Sequence, residues 1–265
     1  MSPLIELKKV SLDLPVYGVE KQMLKKKILH LATGGLIAKN ESKIITVRAL
    51  DNISLTFHEG ARVGLIGHNG AGKTTLLRLL SGIYEPTAGE ASIHGKVTSL
   101  LDIMLGVNEE STGYDNIFLK GILLGLTKSQ IEKKREIVAE FTQLGSYLDM
   151  PVRTYSSGMK IRLGFAMATI LVTPQISLLD EVLGVGDKLF QQKTKQHICR
   201  VINNSSIVFF ASHDLSNIQE VCSEVLWLEK GKVRFCGNVA EGIKKYKDSF
   251  KASDGRPQSA KNQIF

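Results

Sequence analysis

Apolar residues alternate with polar ones in two long segments of the chain and form short unbroken runs elsewhere. The alternation predicts strands over Leu4–Val16 and Ile44–Phe57. The runs ARVGLIG, QISLLD and SSIVFFAS are typical of strands that are buried on both faces of a parallel sheet. Helical spacing predicts helices over Thr74–Ser81, over most of Leu119–Leu148 and over Val239–Phe250. Strands that alternate with helices in this way favour an α/β fold.

Other segments add smaller elements. The segment GEASIHGKVTSLL predicts two short strands around Gly95, and EVLWLEKGKVRFCG predicts a hairpin with its turn near Lys230 and Gly231. Between the first two long strands, apolar residues at helical spacing among lysines predict a short basic amphipathic helix, then a Gly-Gly break and a loop. We treat residues 18–43 as a basic insertion. Residues 247–265 are predicted to form a polar tail that is disordered.

The formal net charge of +8 is unevenly distributed. The positive excess lies in residues 20–48 and 244–265, and the remainder of the chain is near neutral. Such patches bind nucleic acid, an anionic membrane surface or a protein partner, or they form a solvated surface. Charge alone leaves these alternatives open. No apolar run approaches the ~18–20 residues of a membrane-spanning helix, and the first residues do not form a signal peptide.

A phosphate-binding loop is the strongest chemical signal in the chain. The pattern G-x-x-x-x-G-K-T runs from Gly67 to Thr74, directly after a predicted strand and directly before a predicted helix. Its glycines allow a tight loop, and its amides converge on an anion at the helix N-terminus. The predicted phosphate-binding residues are Gly67, His68, Asn69, Gly70, Ala71, Gly72, Lys73, Thr74 and Thr75. The loop predicts binding of a nucleoside triphosphate without choosing between ATP and GTP.

Two consecutive acids follow a buried strand further along the chain. Asp180 ends the run ISLLD, at the edge of a parallel sheet where ligands bind, and Glu181 follows it. Together with the Thr74 hydroxyl, Asp180 is expected to hold Mg²⁺, while Glu181 is expected to activate the attacking water. The same two acids would serve as a turn cap if no phosphate loop preceded them. Behind such a loop, the catalytic interpretation is favoured.

A histidine follows the next buried strand. The run SSIVFFAS ends just before His213, so His213 is expected at the same sheet edge as Asp180. A lone histidine is more often structural than functional. In this context we expect His213 to donate a hydrogen bond to the γ-phosphate and count it with Glu181 as catalytic.

The segment YSSGM, residues 155–159, begins a helix without any acid, base or thiol. The order of phosphate loop, Ser-Ser-Gly helix start, Asp-Glu pair and histidine resembles the ATPase subunits of ABC transporters. In that family the turn is usually L-S-G-G-Q, and this chain differs at Tyr155, Ser157 and Met159. The segments LLDEVLGVGD and TGYDNI, with the basic insertion, resemble the polysaccharide-export branch, which serves O-antigen, capsule and teichoic acid.

The resemblance implies the architecture and the site. It implies an α/β P-loop NTPase of ABC type over residues 1–246, with a mixed sheet core, an antiparallel β subdomain and a helical subdomain at about 104–165. The signature residues Ser156, Ser157, Gly158 and Met159 would contact ATP in a partner subunit, and Asp187 would lie in the loop that crosses the dimer interface. Lys160 and Arg162 would place positive charge near the phosphates or the interface.

Two positions depart from the family pattern. The glutamine that usually contacts Mg²⁺ between the P-loop and the signature turn is replaced in the segment SLLDIMLGVNEES, where Asp102 is the best match as a further Mg²⁺ ligand. The aromatic residue that stacks on adenine is replaced by Val47 and Arg48. A guanidinium stacks on a base through a cation–π contact, so Arg48 is the candidate for adenine.

The predicted function is the ATP-driven export of lipid-linked polysaccharide, with ATP and Mg²⁺ as cofactors. The resemblance implies a homodimer of ATPase subunits, two copies of an integral-membrane permease, and a peripheral place on the cytoplasmic face of the bacterial inner membrane. It also implies that the C-terminal carbohydrate-binding domain of some members is absent and that nucleic acid is not a partner. The alternatives are an ABC ATPase for another cargo, such as a drug or small molecule, and a soluble ABC protein acting on nucleic acid.

Overall fold

The structure is a computed structural model that describes residues 4–16, 37–39, 45–180 and 188–254. The strands in chain order are β1 (Leu4–Val16), β2 (Ile37–Lys39), β3 (Ile45–His58), β4 (Arg62–Ile66), β5 (Ala88–His94), β6 (Val97–Ser99), β7 (Ile176–Asp180), β8 (Ile207–Ala211), β9 (Glu224–Glu229) and β10 (Lys232–Asn238). The helices are α1 (Lys73–Leu80), α2 (Gly113–Leu123), α3 (Lys128–Thr142), α4 (Ser157–Ile170), α5 (Lys188–Asn204), α6 (Leu215–Val221) and α7 (Val239–Asp254).

One sheet is antiparallel and has the strand order β2-β3-β1-β5. Its long strands, β1 and β3, are the two segments with alternating apolar residues, and they pair along most of their length. β2, at Ile37–Lys39, adds to the free edge of β3, where the sequence predicted a loop. That prediction is wrong because backbone pairing at an open strand edge requires no apolar alternation in so short a segment.

The second sheet is mixed, with the order β10-β9-β4-β8-β7-β6. The strands from β9 to β6 are parallel, and β10 pairs antiparallel with β9 to form the predicted hairpin. β4, β7 and β8 carry the unbroken apolar runs, and most of their residues are buried. The two short strands predicted around Gly95 are present, but β5 joins the first sheet and β6 joins the second.

The mixed sheet separates two apolar cores. On one face, Ile207 and Phe209 of β8 pack with residues of β1, β3 and α1. On the other face, Val208 and Phe210 pack with residues of α2, α3, α4 and α5. The alternate side chains of one buried strand thus serve both cores, which is why the sequence of β8 is apolar throughout.

The helical region begins earlier than the sequence predicted. The segment Leu119–Leu148, predicted to be mostly helical, contains the end of α2, all of α3 and most of a short 3₁₀ turn at Gly145–Asp149. Thr112 and Thr127 begin α2 and α3 with capping boxes that involve Asp115 and Gln130. These caps satisfy the first free N–H groups of each helix and fix its start.

The C-terminal helix is longer than predicted. α7 continues through Asp254, so the prediction of a polar tail from residue 247 is wrong for residues 247–254. Tyr246 makes edge-to-face contacts with Trp227 and with Phe250, with ring centroids 5.4 Å and 4.9 Å apart. The predicted basic helix and the rest of the tail, residues 255–265, lie outside the described residues. Within the described part, no helix has the length and apolarity needed to cross a membrane.

Candidate active site

The loop Gly67–Thr74 connects β4 to α1 at the carboxyl edge of the mixed sheet. Gly70 and Gly72 adopt φ values of 76° and 107°, in the left-handed region that glycine enters without strain. A Cβ at Gly67 would collide with the backbone oxygen of Leu228, and one at Gly72 would lie 3.0 Å from the Ala49 oxygen. Neighbouring strands therefore hold the loop so closely that only glycine fits at these positions.

A cleft of about 500 Å³ opens beside this loop. It is lined by residues 47–49, residues 68–75, Asp180, His213 and residues 230–231. Every predicted phosphate-binding residue except Gly67 therefore lines one cleft together with a predicted metal ligand, a predicted catalytic histidine and Arg48. These residues come from separate segments of the chain that meet where β4, β7 and β8 end.

The start of α1 and the end of β7 are joined by a direct side-chain contact. The Thr74 hydroxyl donates a hydrogen bond of 3.0 Å to Oδ2 of Asp180. A hydroxyl and a carboxylate are hard oxygen donors of the kind that Mg²⁺ prefers, and they project into the cleft beside the P-loop. The donor set thus fits Mg²⁺ bound together with a phosphate.

The Lys73 side chain folds back over the loop. Its Nζ donates to the carbonyl oxygens of Gly67 at 2.6 Å and of His68 at 3.2 Å. The ammonium group is therefore positioned above the loop, on the side that faces the cleft. A phosphate in the cleft would offer it stronger, charged acceptors.

His213 lies two residues after β8. In the mixed sheet, Asp180 is the register partner of Ala211, the last residue of β8. His213 is exposed and lines the cleft, while the following Asp214 caps α6 by accepting a hydrogen bond of 2.8 Å from the Ser216 amide. The amide hydrogen bonds hold the pKa of Asp214 below its ordinary value, so α6 has an ionised N-cap beside the histidine.

Arg48 lines the same cleft as Asp180, and its guanidinium edge is occupied. Nε and one terminal nitrogen donate to the two carboxylate oxygens of Asp13 at 2.9 Å and 3.0 Å, and Asp51 lies 3.6 Å from the other terminal nitrogen. The hydrogen bond from Arg48 holds the pKa of Asp13 below its ordinary value. Because these contacts use the edge of the planar group, its face remains the surface that a base would stack on.

Asp102 lies elsewhere. It does not line the cleft with Thr74 and Asp180, and its charge acts on Lys120 of α2. Lys120 donates a hydrogen bond of 2.9 Å to the Leu105 oxygen, and burial lowers the pKa of this lysine. The geometry therefore does not bring Asp102 to the other predicted Mg²⁺ ligands, because the segment that follows β6 turns towards α2.

The signature turn is built as a capped helix start and does not line the cleft of its own subunit. Ser156 is the N-cap of α4 and accepts a hydrogen bond of 3.3 Å from the Met159 amide. Ser156 and Ser157 are exposed, and Gly158 and Met159 are partly exposed. Tyr155 is buried, and its hydroxyl donates to the Tyr147 oxygen at 2.6 Å. A buried tyrosine with a satisfied hydroxyl thus anchors the turn where the family usually has leucine.

The charges next to the signature turn are used within the subunit. Lys160 is 2.5 Å from a carboxylate oxygen of Glu109, and the Arg162 guanidinium lies 4.9 Å from the Phe190 ring centroid. The prediction that both residues place positive charge near the phosphates or the interface stays a prediction, and the charge of Lys160 is paired with Glu109 within the subunit. The predicted residues Glu181 and Asp187 lie outside the described residues.

The sequence analysis missed one part of the cleft. Lys230 and Gly231 were predicted to form a hairpin turn, and no role was given to them, yet the structure places them beside the P-loop. No local motif signals this contact, because it depends on β9 lying next to β4 in the sheet.

Comparison with known proteins agrees with this geometry. The family described as ABC transporter matches residues 50–184. The O-antigen export system ATP-binding protein RfbE of Yersinia enterocolitica is 42% identical over 85% of this chain and 94% of that protein. The teichoic acids export ATP-binding protein TagH of Staphylococcus epidermidis is 37% identical over 93% of this chain and 89% of that protein.

A solved structure of an ATP-binding cassette shares this fold. A dimeric post-hydrolysis state of the ATP-binding cassette MJ0796, bound to ADP and Pi, matches with a TM-score of 0.64 at 19% identity, over 89% of this chain and 98% of that chain. The predicted α/β fold of ABC type, with an antiparallel sheet and a helical region, is confirmed. The chain belongs to the ABC transporter family, among the relatives of the ATP-binding proteins of O-antigen and teichoic-acid export.

Proposed function

We propose that this chain is the ATP-hydrolysing subunit of an ABC transporter that exports a lipid-linked polysaccharide, such as O-antigen, capsule or a similar surface glycan. The observation that carries the proposal is the hydrogen bond between Thr74 and Asp180, which joins the P-loop helix to the end of β7 inside one cleft. RfbE and TagH are ATP-binding proteins of O-antigen and teichoic-acid export, which supports the export of a surface polysaccharide over another cargo.

The phosphate end of ATP is assigned to the P-loop. Backbone amides from Asn69 to Thr75 would bind the phosphates near the N-terminus of α1, where the helix dipole favours an anion. Lys73 then exchanges its two carbonyl partners for β- and γ-phosphate oxygens. Thr74 and Asp180 would hold Mg²⁺, and this ion would supply positive charge next to the phosphates. Asp102 is not part of this set, since it lies away from the cleft.

Hydrolysis requires a base and a donor near the γ-phosphate. Glu181 directly follows Asp180 in the sequence, and we assign it to take a proton from the attacking water. His213 reaches the cleft from the end of β8 and would donate a hydrogen bond to the γ-phosphate. The role of His213 is assigned from its position just after β8, and that of Glu181 from its place next to Asp180 in the sequence.

Arg48 is the proposed support for adenine. Two hydrogen bonds to Asp13 fix the guanidinium group of Arg48, so its plane is held in one orientation in the cleft lining. A fixed plane loses little entropy when a base stacks on it. This cation–π contact would replace the usual aromatic residue.

The signature turn is proposed to act on the ATP of a second copy of the chain. Ser156, Ser157, Gly158 and Met159 present a helix N-terminus to solvent, outside the cleft of their own subunit. In a two-fold dimer each turn would meet the γ-phosphate held by the partner, with Asp187 in the same interface. The dimeric state of the related ATP-binding cassette supports this arrangement. Closure on ATP and release after hydrolysis then form the power stroke.

The membrane part is assigned to other chains. Relatives are components of export systems, so we assign two copies of a permease, and a peripheral place at the cytoplasmic face of the cell membrane. α2 offers an apolar surface for this partner, because its residues Phe118, Leu119, Ile122 and Leu123 are between 36% and 73% exposed. An exposed apolar surface of this kind marks an interaction site.

The test measures ATP hydrolysis and export together. Lys73→Ala should abolish nucleotide binding, while Glu181→Gln should keep binding, lower turnover by roughly 10²–10⁴-fold, and accumulate an ATP-bound dimer. Lys133→Ala and Glu140→Gln, which change exposed residues of α3, are matched controls. Deletion in the native host should remove a surface glycan. Normal ATP turnover in Glu181→Gln would refute the catalytic role of Glu181. An intact surface glycan after deletion would refute polysaccharide as the cargo. Salt-sensitive binding of nucleic acid without membrane association would refute the transporter assignment.

A further inference from the structure

Lys230 lines the same cleft as the P-loop, although it comes from the turn between β9 and β10. We infer that Lys230 is a nucleotide-binding residue whose ammonium group contacts the α-phosphate side of ATP. The inference rests on the proposed ATP-binding function and adds a cation that the P-loop motif does not contain. Backbone anchoring, charge pairing and position along the cleft support it independently.

The turn that carries Lys230 is fixed to both walls of the cleft. The Gly231 amide donates to the Ala71 oxygen of the P-loop at 2.9 Å, and the Gly231 oxygen accepts from the Asp51 amide of β3 at 2.9 Å. A Cβ at Gly231 would lie 2.7 Å from the Ala49 oxygen, so the backbones are in close contact. Lys230 itself has a φ of 50°, in the left-handed region. The position of the Lys230 backbone is therefore set by the same loop that binds the phosphates.

Charge pairing distinguishes Lys230 from the other cations of the hairpin. Lys232 is 3.1 Å from a carboxylate oxygen of Asp51, and Arg234 is 2.6 Å from one of Glu229. Lys230 is exposed and makes no ion pair within the part of the chain that the structure describes. Its positive charge is therefore available to an anion in the cleft.

The place of Lys230 in the cleft indicates which part of a bound nucleotide it contacts. Thr74 and Asp180 mark the γ-phosphate end, and Arg48 marks the base end. Gly231 contacts Ala71 of the P-loop and Ala49, the residue next to Arg48. Lys230, the preceding residue, lines the cleft beside both of these segments, so we assign it to the part of a bound nucleotide between the base and the terminal phosphates, where the α-phosphate is the anionic group. An ammonium at this point would form a charge-assisted hydrogen bond with it.

The test compares three variants by calorimetric titration with ADP at low salt. Lys230→Met should weaken ADP binding about three- to tenfold, the scale of a charged contact at a partly exposed site. Lys230→Arg, which keeps the charge, should restore most of the affinity. Lys232→Met is the matched control: it removes the same charge two residues away, outside the cleft lining, and leaves both hydrogen bonds from Arg48 to Asp13. Raising the salt concentration should reduce the difference between wild type and Lys230→Met, because ions screen the contact.

Two results would overturn the inference. One is an ADP affinity of Lys230→Met equal to that of the wild type, and the other is an equal loss in Lys232→Met, which would mean a general effect of charge. Thermal unfolding of each variant checks that the fold is kept. A wild-type protein that binds neither ADP nor ATP would instead refute the proposed function, so the two failures are distinguishable.

Discussion

His197 on α5 links protonation to the packing of the helical core. Its ring centroid lies 5.0 Å from that of Phe141 on α3 and 6.1 Å from that of Phe165 on α4, and its Nε2 is buried without a hydrogen-bond partner. Burial holds the pKa of His197 below its ordinary value, and the positive charges of Arg200 and Lys193 lower this pKa further. A backbone hydrogen bond with Thr169 acts in the opposite direction and raises it. The unfolded chain therefore binds the proton at higher pH than the folded chain, so acidification below about pH 6.5 favours unfolding.

His197→Phe removes the unpaired buried nitrogen but also the hydrogen bond with Thr169, so the two effects oppose each other and stability at pH 7 should change by less than about 1 kcal/mol. It should also remove part of the loss of stability between pH 7 and pH 5. Urea unfolding at several pH values measures both effects. His94→Phe is the control, since His94 is exposed and its Nε2 contacts the Ser92 hydroxyl at 3.0 Å. The same loss of stability on acidification in His197→Phe as in wild type would contradict the assignment.

Residues in the cleft differ in how far the sequence could place them. Thr74 and Asp180 each belong to a local pattern of strand, turn and ligand, so their meeting follows once both strands are assigned to one parallel sheet. Asp102 has no such pattern, and its position depends on the path of an irregular segment. The pairing of Arg48 with Asp13 depends on the register of β1 against β3, which pairs these two residues, and alternation alone leaves that register open.

At the scale of elements, α4 is held mainly by its neighbours. Its sequence becomes apolar all round, and most residues from Leu163 to Thr169 are buried. Gly164 packs against the segment that follows β6, with the Ile103 oxygen 2.8 Å from the position of an added Cβ. Gly158, in the first turn, has only the Ser156 hydroxyl oxygen nearby, at 4.0 Å. The sequence predicted the helix and where it begins, but not that its two glycines differ in environment, which only the packed structure determines.

Alanine at these two glycines should therefore have opposite effects. Gly164→Ala should destabilise the fold by about 1–3 kcal/mol, because the Ile103 backbone must move away from the methyl group. Gly158→Ala should keep or raise stability by up to about 1 kcal/mol, since alanine favours a helix. If the turn binds ATP in the partner subunit, Gly158→Ala should still lower ATPase turnover, by roughly 10²-fold.

Thermal unfolding and ATPase assays on both variants separate these effects. Each variant is the control of the other, because the same methyl group is added to the same helix. A Gly158→Ala protein with normal ATPase activity would argue against the role of the turn in the dimer. A Gly164→Ala protein as stable as the wild type would mean that the segment after β6 yields without cost.

At the scale of the molecule, the mixed sheet places nucleotide chemistry and apolar helix surface in different parts of one subunit. The cleft opens at the strand ends of β4, β7 and β8, whereas α2 packs on the helical core through Ile117 and exposes Leu123 by 73%. The segment that follows β6 contacts α2 through Lys120 and α4 through Gly164. It thus connects the surface assigned to the permease with the helix that carries the signature turn. The sequence indicated a helical subdomain here; which α2 residues remain exposed follows from how α2 packs on α3, α4 and the 3₁₀ turn.

Leu123→Asp tests whether α2 is the surface for the membrane partner. A carboxylate at this exposed position leaves the core intact, so the isolated subunit should keep its stability and its basal ATPase activity. In an apolar interface the same carboxylate loses its hydration, so binding to membrane vesicles from the native host should weaken about 10- to 30-fold. Ile83→Asp is the matched control, because Ile83 is 50% exposed and follows α1 rather than α2. Sedimentation with vesicles measures the binding, and an unchanged affinity of Leu123→Asp would exclude this face of α2 as the docking site while leaving the nucleotide site unaffected.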